Sequence, residues 1–274
     1  YTSRTLVPSL LAHVHAWVNQ RHGASQKVRW LEPSAGDGAF LDSLPDGALG
    51  LDLAPGREDI VAADFLAWSP PKEYSQAKPA PWVVVGNPPF GKNASLAVKF
   101  FNHAAQFADI IALIVPRTFE KISLQNRLTD TFVLLGEHAI DPLSFVFEGN
   151  TVAVPCVFQI WGRLPHPHRR PKISRPTTHP DFEMVKDTTS ADFAFQRVGA
   201  AAGKIKNMDA SALAAPSHHF VRVTQRDRVA DVRKVFEAID FSAVKARTAG
   251  NPSIGLTELI ELYQQAKASA TPNQ

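Results

Sequence analysis

The segment VVVGNPPFGK, residues 83–92, places an amide and an aromatic side chain directly after an apolar run. The two prolines after Asn87 fix φ at about −65° and stiffen the backbone, so the carbonyls here point in set directions. The segment therefore offers two acceptors, the side-chain oxygen of Asn87 and the carbonyl oxygen of Pro88, with the ring of Phe90 close by. Two acceptors and a ring suit a flat group that carries an NH2.

An exocyclic amine on a base is a poor nucleophile, because its lone pair is delocalised into the ring. Acceptors that draw both hydrogens out of the ring plane favour the tetrahedral nitrogen that can attack a methyl group. No strong general base is needed, since the proton becomes acidic once the methylated amine is cationic. An incidental proline turn is the alternative interpretation. The candidate catalytic residues are Asn87, Pro88, Pro89 and Phe90.

A second segment with chemical character is LEPSAGDGAFL, residues 31–41. Gly36 and Gly38 allow a tight turn and close approach of a ligand to the backbone. The pattern predicts that this turn leads into a helix whose N-terminal amides carry partial positive charge. The dinucleotide fingerprint G-x-G-x-x-G is absent from the segment. A carboxylate at Glu32 suits a cationic ligand, such as the methionine ammonium of S-adenosylmethionine.

Two further acids follow later apolar runs. Asp52 could accept hydrogen bonds from ribose hydroxyls, and Asp64, followed by Phe65, could accept one from an adenine amine while the ring packs. Taken singly, each acid could be a loop residue or a cap. Together with Glu32 they form an ordered series at the carboxyl ends of successive predicted strands, which favours a nucleoside site.

The two segments LEPSAGDGAFL and VVVGNPPF, in this order, resemble the amino-group methyltransferases that use S-adenosylmethionine and carry an N/D-P-P-F/Y loop. Their order is similar to the branch in which the cofactor segment precedes the catalytic one, which includes adenine-N6 DNA methyltransferases. The resemblance covers about residues 1–163. It implies S-adenosylmethionine as the cofactor and nucleic acid as the partner, with DNA favoured over RNA.

The resemblance also implies roles for the matching residues. Asn87, Pro88 and Phe90 would hold the target amine, and Thr2 lies in a segment similar to the one that closes over the methionine end. Phe147 matches a second aromatic that packs on the flipped base, although a core phenylalanine explains it equally well. The implied cofactor-binding residues are Thr2, Glu32, Pro33, Ser34, Gly36, Gly38, Asp52, Leu53, Asp64, Phe65 and Asn87.

The sequence leaves several amines as candidate substrates. Phe90 stands where many DNA enzymes have Tyr, and NPPF also occurs in enzymes that resemble ribosomal-RNA adenine and guanine-N2 methyltransferases. Adenine N6 in DNA is the first expectation. The alternatives are adenine N6 or guanine N2 in RNA, cytosine N4, a protein glutamine amide, and an inactive scaffold that only binds the cofactor.

Five apolar runs predict the strands that position these residues: 28–32, 48–52, 59–64, 82–86 and 109–116. Such near-continuous runs are typical of parallel strands buried on both faces, and the apolar spacing over 93–108 predicts a crossover helix. The predicted fold class is α/β, a doubly wound, mostly parallel, seven-stranded Rossmann-like sheet. Segments 131–140 and 151–161 are predicted to form an antiparallel hairpin at its edge.

The predicted organisation is a methyltransferase domain at 1–163, a basic Pro/His-rich linker or loop at 164–180, and a small α+β module for substrate recognition at 181–274. Residues 1–163 hold 13 Lys and Arg against 15 Asp and Glu, whereas the rest of the chain holds 16 against 11. A basic C-terminal part fits a polyanionic partner. Arg169 and Arg170 are the candidate phosphate contacts, and a solvated basic surface is the alternative.

The remaining features predict no further chemistry. The single cysteine, Cys156, lies in an apolar run and is expected in the core. The histidine pairs lack Cys or acid partners at ligand spacing, so no metal site is predicted. No run approaches the roughly 18 apolar residues of a membrane helix. One cysteine suits a reducing compartment, which predicts a cytoplasmic protein, associated with the nucleoid if DNA is its substrate, without a membrane partner.

Overall fold

The chain forms two compact units, Tyr1–Lys172 and Ile173–Gln274. Their boundary falls inside the segment 164–180. The computed structural model describes residues 2–71, 80–142, 145–147, 150–209, 213–245, 247 and 251–270.

The first unit is built on a seven-stranded sheet. The described part of this unit contains nine strands, of which β7 and β8 lie outside the sheet: β1 (Arg29–Glu32), β2 (Leu49–Asp52), β3 (Val61–Ala62), β4 (Trp82–Gly86), β5 (Ala108–Pro116), β6 (Phe132–Ala139), β7 (Phe145–Phe147), β8 (Asn150–Val152) and β9 (Cys156–Arg163). The sheet has the order β3-β2-β1-β4-β5-β9-β6. Strands β1 to β5 pair in parallel, whereas β9 runs antiparallel to both β5 and β6. The predicted mostly parallel sheet with an antiparallel edge pair is confirmed.

Apolar side chains cover both faces of this sheet. In β4, Val83 and Val85 pack with the helix α1 (Val7–His22), and Val84 between them packs with the helix α2 (Ser95–Ala104). All three valines are fully buried. Alternate side chains of a strand point to opposite faces, so a continuous apolar run is what a strand between two helical layers requires.

Helix α2 is shorter than the predicted segment 93–108. Asn93 and Ala94 have positive φ values of 52° and 57°, and the helix begins only at Ser95. A further short helix, α3 (Ile122–Gln125), follows β5. Strands β7 and β8 pair with each other as a separate hairpin.

The prediction of a helix after the glycine turn is wrong. Residues 37–40 form turns, and a 3₁₀ helix of three residues, Leu41–Ser43, follows. Pro45 lacks a backbone N–H and disfavours the helical conformation at Leu44. Too few residues therefore separate the turn from this proline for an α-helix to form, and no helix dipole is available at the turn.

The second unit is an α+β module, as predicted. Its described strands are β10 (Phe182–Val185), β11 (Phe193–Gln196), β12 (Ile205–Lys206) and β13 (His218–Val223), and its helices are α4 (Val229–Glu237), α5 (Ser242–Lys245) and α6 (Leu256–Ala270). The antiparallel sheet has the order β10-β13-β11-β12. Phe236 of α4 and Tyr263 of α6 pack on Phe182 and Phe193 of the sheet. The segments DFAFQRVG (192–199) and HHFVRV (218–223) predict β11 and β13, whereas no pattern predicts β10 and β12.

None of the helices in the described ranges combines the length and apolar character that a membrane-crossing helix needs.

Candidate active site

A cavity of about 730 Å³ lies at the carboxyl ends of β1, β2 and β4. The volume is in the range of small-molecule sites. The strand order changes direction between β1 and β4, and ligands of open α/β sheets bind in the crevice at such a point. The residues that line it are Thr2, Glu32, Pro33, Ser34, Ala35, Gly36, Asp37, Ala39, Asp52, Leu53, Ala63, Asp64, Phe65, Leu66, Asn87, Pro88, Pro89, Phe90, Leu96, Phe100 and Val154.

The glycine turn and the end of β2 are tied together across the cavity wall. Gly36 has a positive φ of 55°, and its backbone N–H donates to Oδ2 of Asp52 at 2.8 Å. Oδ1 of Asp52 accepts from the N–H of Ala54 at 2.9 Å. Each oxygen of a carboxylate can accept a second hydrogen bond, so Asp52 is held rigidly and can still accept from ligand hydroxyls.

Glu32 is a buried carboxyl group in the wall of the cavity. Its side chain is 2% exposed, and Oε2 accepts from the backbone N–H of Leu41 at 2.8 Å. Burial raises the pKa of Glu32 to about 8, and the charges of Asp37 and Asp52 also raise it, although backbone N–H groups oppose the shift. A cation bound beside Glu32 would favour its ionised form, so this group is suited to an ammonium ligand.

The end of β3 contributes an acid and apolar surface. Asp64 accepts from the N–H of Leu66 at 2.9 Å through Oδ1. Phe65 is buried against Phe100, with ring centroids 5.1 Å apart. Leu53 lines the same cavity, yet it is 77% exposed. These residues form an apolar wall with acceptors at its edge, which suits a planar base.

A glycine ends β4 where the chain turns toward the cavity. Gly86 has a φ of +155°, which side-chain-bearing residues rarely adopt. A Cβ at this position would lie 3.2 Å from Cγ of Glu32. Glycine therefore permits both the turn into Asn87 and the close approach of the buried acid.

The amide of Asn87 is held at one end only. Its Nδ2 donates to Oγ1 of Thr2 at 3.1 Å, and its backbone carbonyl accepts from Oγ of Ser34 at 3.0 Å. Within the described ranges, Oδ1 of Asn87 accepts no hydrogen bond. The carbonyl of Phe90 accepts from the N–H of Leu96 at 3.0 Å, which fixes the end of the loop to α2. The loop is anchored on both sides, Asn87 lines the cavity, and one end of its amide is left without a hydrogen bond in the described ranges.

Most of the predicted site residues line this cavity, whereas Gly38, Arg169 and Arg170 are not among the lining residues. Gly38 has a φ of 82° and packs under the side chain of Arg57. Phe147 belongs to β7, and its side chain lies outside the described part of the chain. Arg169 pairs with Asp130 at 2.5 Å.

Arg170, the other predicted phosphate contact, is also not among the lining residues. Its guanidinium donates to the carbonyls of Phe132 at 3.1 Å and Gln125 at 2.9 Å, and it lies over the ring of Trp161. Burial lowers the pKa of Arg170. These contacts give Arg170 a structural role within the first unit.

Several lining residues were not singled out from the sequence. Asp37 lies inside the glycine segment and could have been added on its position alone. Leu96 and Phe100 belong to the apolar stripe of α2 that predicted a core face, and they serve both purposes. Val154 carries no sequence signal for a site. Across the described ranges, no group of three or more His, Cys, Asp or Glu side chains could hold a metal ion.

No protein-family model matches the chain, and neither does any curated protein. Solved structures show distant likeness. A Listeria monocytogenes chain assigned as a class I S-adenosylmethionine-dependent methyltransferase is 12% identical, with a TM-score of 0.43 over 61% of this chain and 63% of that chain. The methyltransferase subunit of a type I restriction-modification system from Streptococcus thermophilus is 12% identical, with a TM-score of 0.34 over 92% of this chain and 54% of that chain.

A Pyrococcus horikoshii chain assigned as an RNA methyltransferase is 13% identical, with a TM-score of 0.36 over 57% of this chain and 85% of that chain. The matched part of this chain thus spans less than two thirds of the Listeria and Streptococcus chains. All of these TM-scores are below 0.5, so the likeness does not identify a reaction or a substrate for this chain.

Proposed function

We propose that the protein is an S-adenosylmethionine-dependent methyltransferase that acts on an exocyclic amine. One observation supports this most directly: Asn87, whose amide bonds to Thr2 through one end, and the glycine turn at Gly36 line the same cavity. A ligand bound on the turn would therefore lie beside an acceptor suited to an amine.

The cavity fits the cofactor in three respects. The buried Glu32 suits an ammonium group, Asp52 suits ribose hydroxyls, and Asp64 with Leu53 suits a base. S-adenosylmethionine bound there would supply a methyl group on a positively charged sulfur, which keeps the electron pair of the broken C–S bond. Gly36 lines the cavity with a positive φ of 55°, so a ligand could approach its backbone closely where a Cβ would be strained.

The loop after β4 would hold the nucleophile. Oδ1 of Asn87 and the carbonyl of Pro88 accept the two amine hydrogens, and Phe90 packs on the ring that carries the amine. This arrangement favours a tetrahedral nitrogen whose lone pair points at the methyl carbon. As the new N–C bond forms, the nitrogen becomes cationic, and it then releases one proton to solvent. No general base among the lining residues is required.

For the substrate we propose a base in nucleic acid, with adenine N6 in DNA first. The order of the two loops along the chain, the glycine turn before the Asn87 loop, favours this choice. A base in a duplex must leave the stack, which costs roughly a few kcal/mol, and stacking on Phe90 would return about 1–3 kcal/mol. The second unit is the proposed recognition module.

Transfer of labelled methyl groups tests both levels of the proposal. The protein is incubated with labelled S-adenosylmethionine and separate pools of DNA, RNA and protein, and modified residues are identified by mass spectrometry. N6-methyladenine in DNA is the expected product. Another methylated amine would keep the reaction and correct the substrate. No incorporation in any pool would contradict the proposed methyltransferase activity. The remaining interpretation would be an inactive scaffold that binds the cofactor.

Substitution of Asn87 tests the mechanism. Asn87→Ala should slow methyl transfer by roughly 100-fold, corresponding to about 3 kcal/mol for one preorganised polar contact. Cofactor affinity, measured by calorimetry, should stay close to that of the unmodified protein. Asn19→Ala, an exposed amide on α1, is the matched control. Unchanged turnover in Asn87→Ala would show that this amide does not hold the amine.

A further inference from the structure

The mechanism requires one orientation of the Asn87 amide. An amide has an oxygen end that accepts and a nitrogen end that donates. If the nitrogen end faced the cavity, its hydrogens would meet those of the amine and repel them. Something must therefore keep Oδ1 toward the cavity when a substrate is bound.

Within the described ranges, Thr2 is the residue whose side chain contacts the Asn87 amide. Oγ1 of Thr2 accepts from Nδ2 at 3.1 Å, across 85 positions of sequence. This contact alone does not settle the orientation, because a hydroxyl can both donate and accept. If the amide were flipped, the hydroxyl hydrogen of Thr2 could instead be donated to Oδ1.

The fate of that hydrogen depends on the cavity. Thr2 is half-buried and lines the cavity, and its hydroxyl donates to no side chain or carbonyl in the described ranges. The nearby hydroxyl of Ser34 differs, because its hydrogen is already donated to the carbonyl of Asn87. Thr2 is therefore the hydroxyl on this wall that still has a hydrogen for a ligand acceptor.

The segment that carries Thr2 is fixed to the glycine turn. Nη2 of Arg4 donates to the carbonyl of Asp37 at 2.9 Å, and Arg4 also pairs with the carboxylate of Asp42. Asp37 lines the same cavity. The chain from Thr2 to Arg4 thus connects the Asn87 loop with the turn on which the cofactor would bind.

We propose that Thr2 is a positioning residue that couples cofactor binding to the orientation of the Asn87 amide, an inference that rests on the proposed function. The amino-acid end of the cofactor carries a carboxylate on the same carbon as the ammonium that Glu32 suits. When Thr2 donates its hydrogen to that carboxylate, only a lone pair remains for Asn87. Nδ2 must then face Thr2, and Oδ1 must face the amine.

The coupling has a thermodynamic signature that does not depend on turnover. If the cofactor sets the amide for the amine, each ligand must strengthen the binding of the other by the same factor. S-adenosylhomocysteine, which keeps the carboxylate but has no methyl group to transfer, is the probe. Its affinity is measured by calorimetry with and without a saturating oligonucleotide that carries the methylated base identified above. We expect an increase on the order of 10-fold in the unmodified protein.

Variants at Thr2 separate positioning from simple packing. Thr2→Val keeps the shape but loses the hydroxyl, so the coupling factor should fall to about 1. Thr2→Ser keeps the hydroxyl and should retain the coupling. Thr5→Val is the matched control, because this exposed hydroxyl in the same segment bonds to Ser3 at 2.7 Å and does not line the cavity as far as the chain is described. It should behave as the unmodified protein.

A change at Asn87 gives a second, independent readout. In Asn87→Asp both ends of the group are oxygens, so no orientation has to be selected. The carboxylate would also compete with the ligand for the Thr2 hydrogen. The coupling factor should therefore drop to 1 or below in this variant, and Thr2→Val added to it should cause no further reduction.

The outcomes distinguish this inference from the function on which it rests. Methyl transfer that occurs with undiminished coupling in Thr2→Val would overturn the role of Thr2 and leave the methyltransferase intact. Absence of methyl transfer to every pool would remove the proposed function itself. Loss of coupling in Thr5→Val as well would show that the segment acts by packing and would also overturn the inference.

Discussion

A buried carboxyl group at Glu32 suits a cationic ligand but lowers the stability of the folded protein. The folded-state pKa of about 8 lies above the ordinary value of 4.5, because the carboxyl group is buried. Between these two pH values the folded protein keeps a proton that the unfolded chain has released. The free energy of unfolding therefore falls as the pH rises from about 4.5 to about 8. Active sites commonly contain such groups.

Replacing Glu32 by Gln should stabilise the protein and weaken cofactor binding. The amide can still accept from Leu41 but has no charge to bury, so the gain in unfolding free energy should be on the order of a few kcal/mol at pH 8 and vanish near pH 4.5. Urea unfolding without cofactor at both pH values measures it, with the exposed Glu58→Gln as control. If the unfolding free energies of Glu32→Gln and the unmodified protein depended on pH in the same way, the raised pKa of Glu32 in the folded protein would be wrong.

Residue types and spacing go a long way toward this site, but only for residues at strand ends. Glu32, Asp52, Asp64 and Asn87 could be grouped because the carboxyl ends of parallel strands meet at one edge of a sheet. The hydrogen bond from Asn87 to Thr2 could not be predicted, since contacts between distant segments leave no periodic pattern. Likewise, no local pattern indicated that Arg170 would turn inward to backbone carbonyls.

At the level of elements, the end of β4 is the feature on which the site depends. The strand is apolar on both faces and ends at a glycine that turns the chain into the Asn87 loop while Glu32 packs against it. A single residue thus positions both Asn87, the proposed acceptor for the amine, and Glu32, the proposed acid for the cofactor.

Gly86→Ala should therefore impair both cofactor binding and methyl transfer. The positive φ and the Cβ contact with Glu32 should lower the unfolding free energy by about 1–3 kcal/mol. Shifts of Glu32 and Asn87 should weaken cofactor binding and slow methyl transfer in the same variant. Gly47→Ala, with a similarly positive φ of 84° but open space around it, is the control for stability alone. Loss of stability without loss of cofactor affinity in Gly86→Ala would show that this glycine supports the fold but does not position the cofactor site.

The elements themselves were partly predictable. Five apolar runs predicted β1 to β5 because buried parallel strands have no solvent-facing side. The 3₁₀ helix Leu41–Ser43 was not predicted. The apolar residues after the glycine turn suggested an α-helix, whereas Pro45 limits the helical segment to three residues. The position of β9 between β5 and β6 could not be predicted either, because the periodicity of apolar residues does not indicate which strands become neighbours in a sheet.

At the scale of the whole molecule, the slightly acidic residues 1–163 are followed by the basic residues 164–274. Lys186 and Lys204 are exposed in the second unit and form no ion pair in the described ranges. If the second unit holds nucleic acid by its backbone, such lysines would each displace counterions when they contact phosphates.

Nucleic-acid affinity should then fall steeply with salt, and less steeply when these lysines are removed. The double variant Lys186→Gln and Lys204→Gln should reduce the slope of log affinity against log salt by about 0.7–0.9 for each phosphate that is no longer neutralised. Fluorescence anisotropy of an oligonucleotide at several salt concentrations measures the slope. Lys27→Gln with Lys99→Gln, two exposed lysines of the first unit, removes the same charge. Identical slopes in both double variants would place the phosphate-binding surface elsewhere.

Strand β9 enters the sheet between β5 and β6, and Cys156 to Gly162 within it are all buried. During synthesis on the ribosome, the strand that closes this gap emerges after both of its neighbours. Until about residue 163 has left the exit tunnel, the apolar edge of β5 has no partner, and such open edges invite pairing with other chains. A nascent or prematurely terminated chain that stops before β9 is thus the form of this protein most exposed to aggregation and most dependent on chaperones.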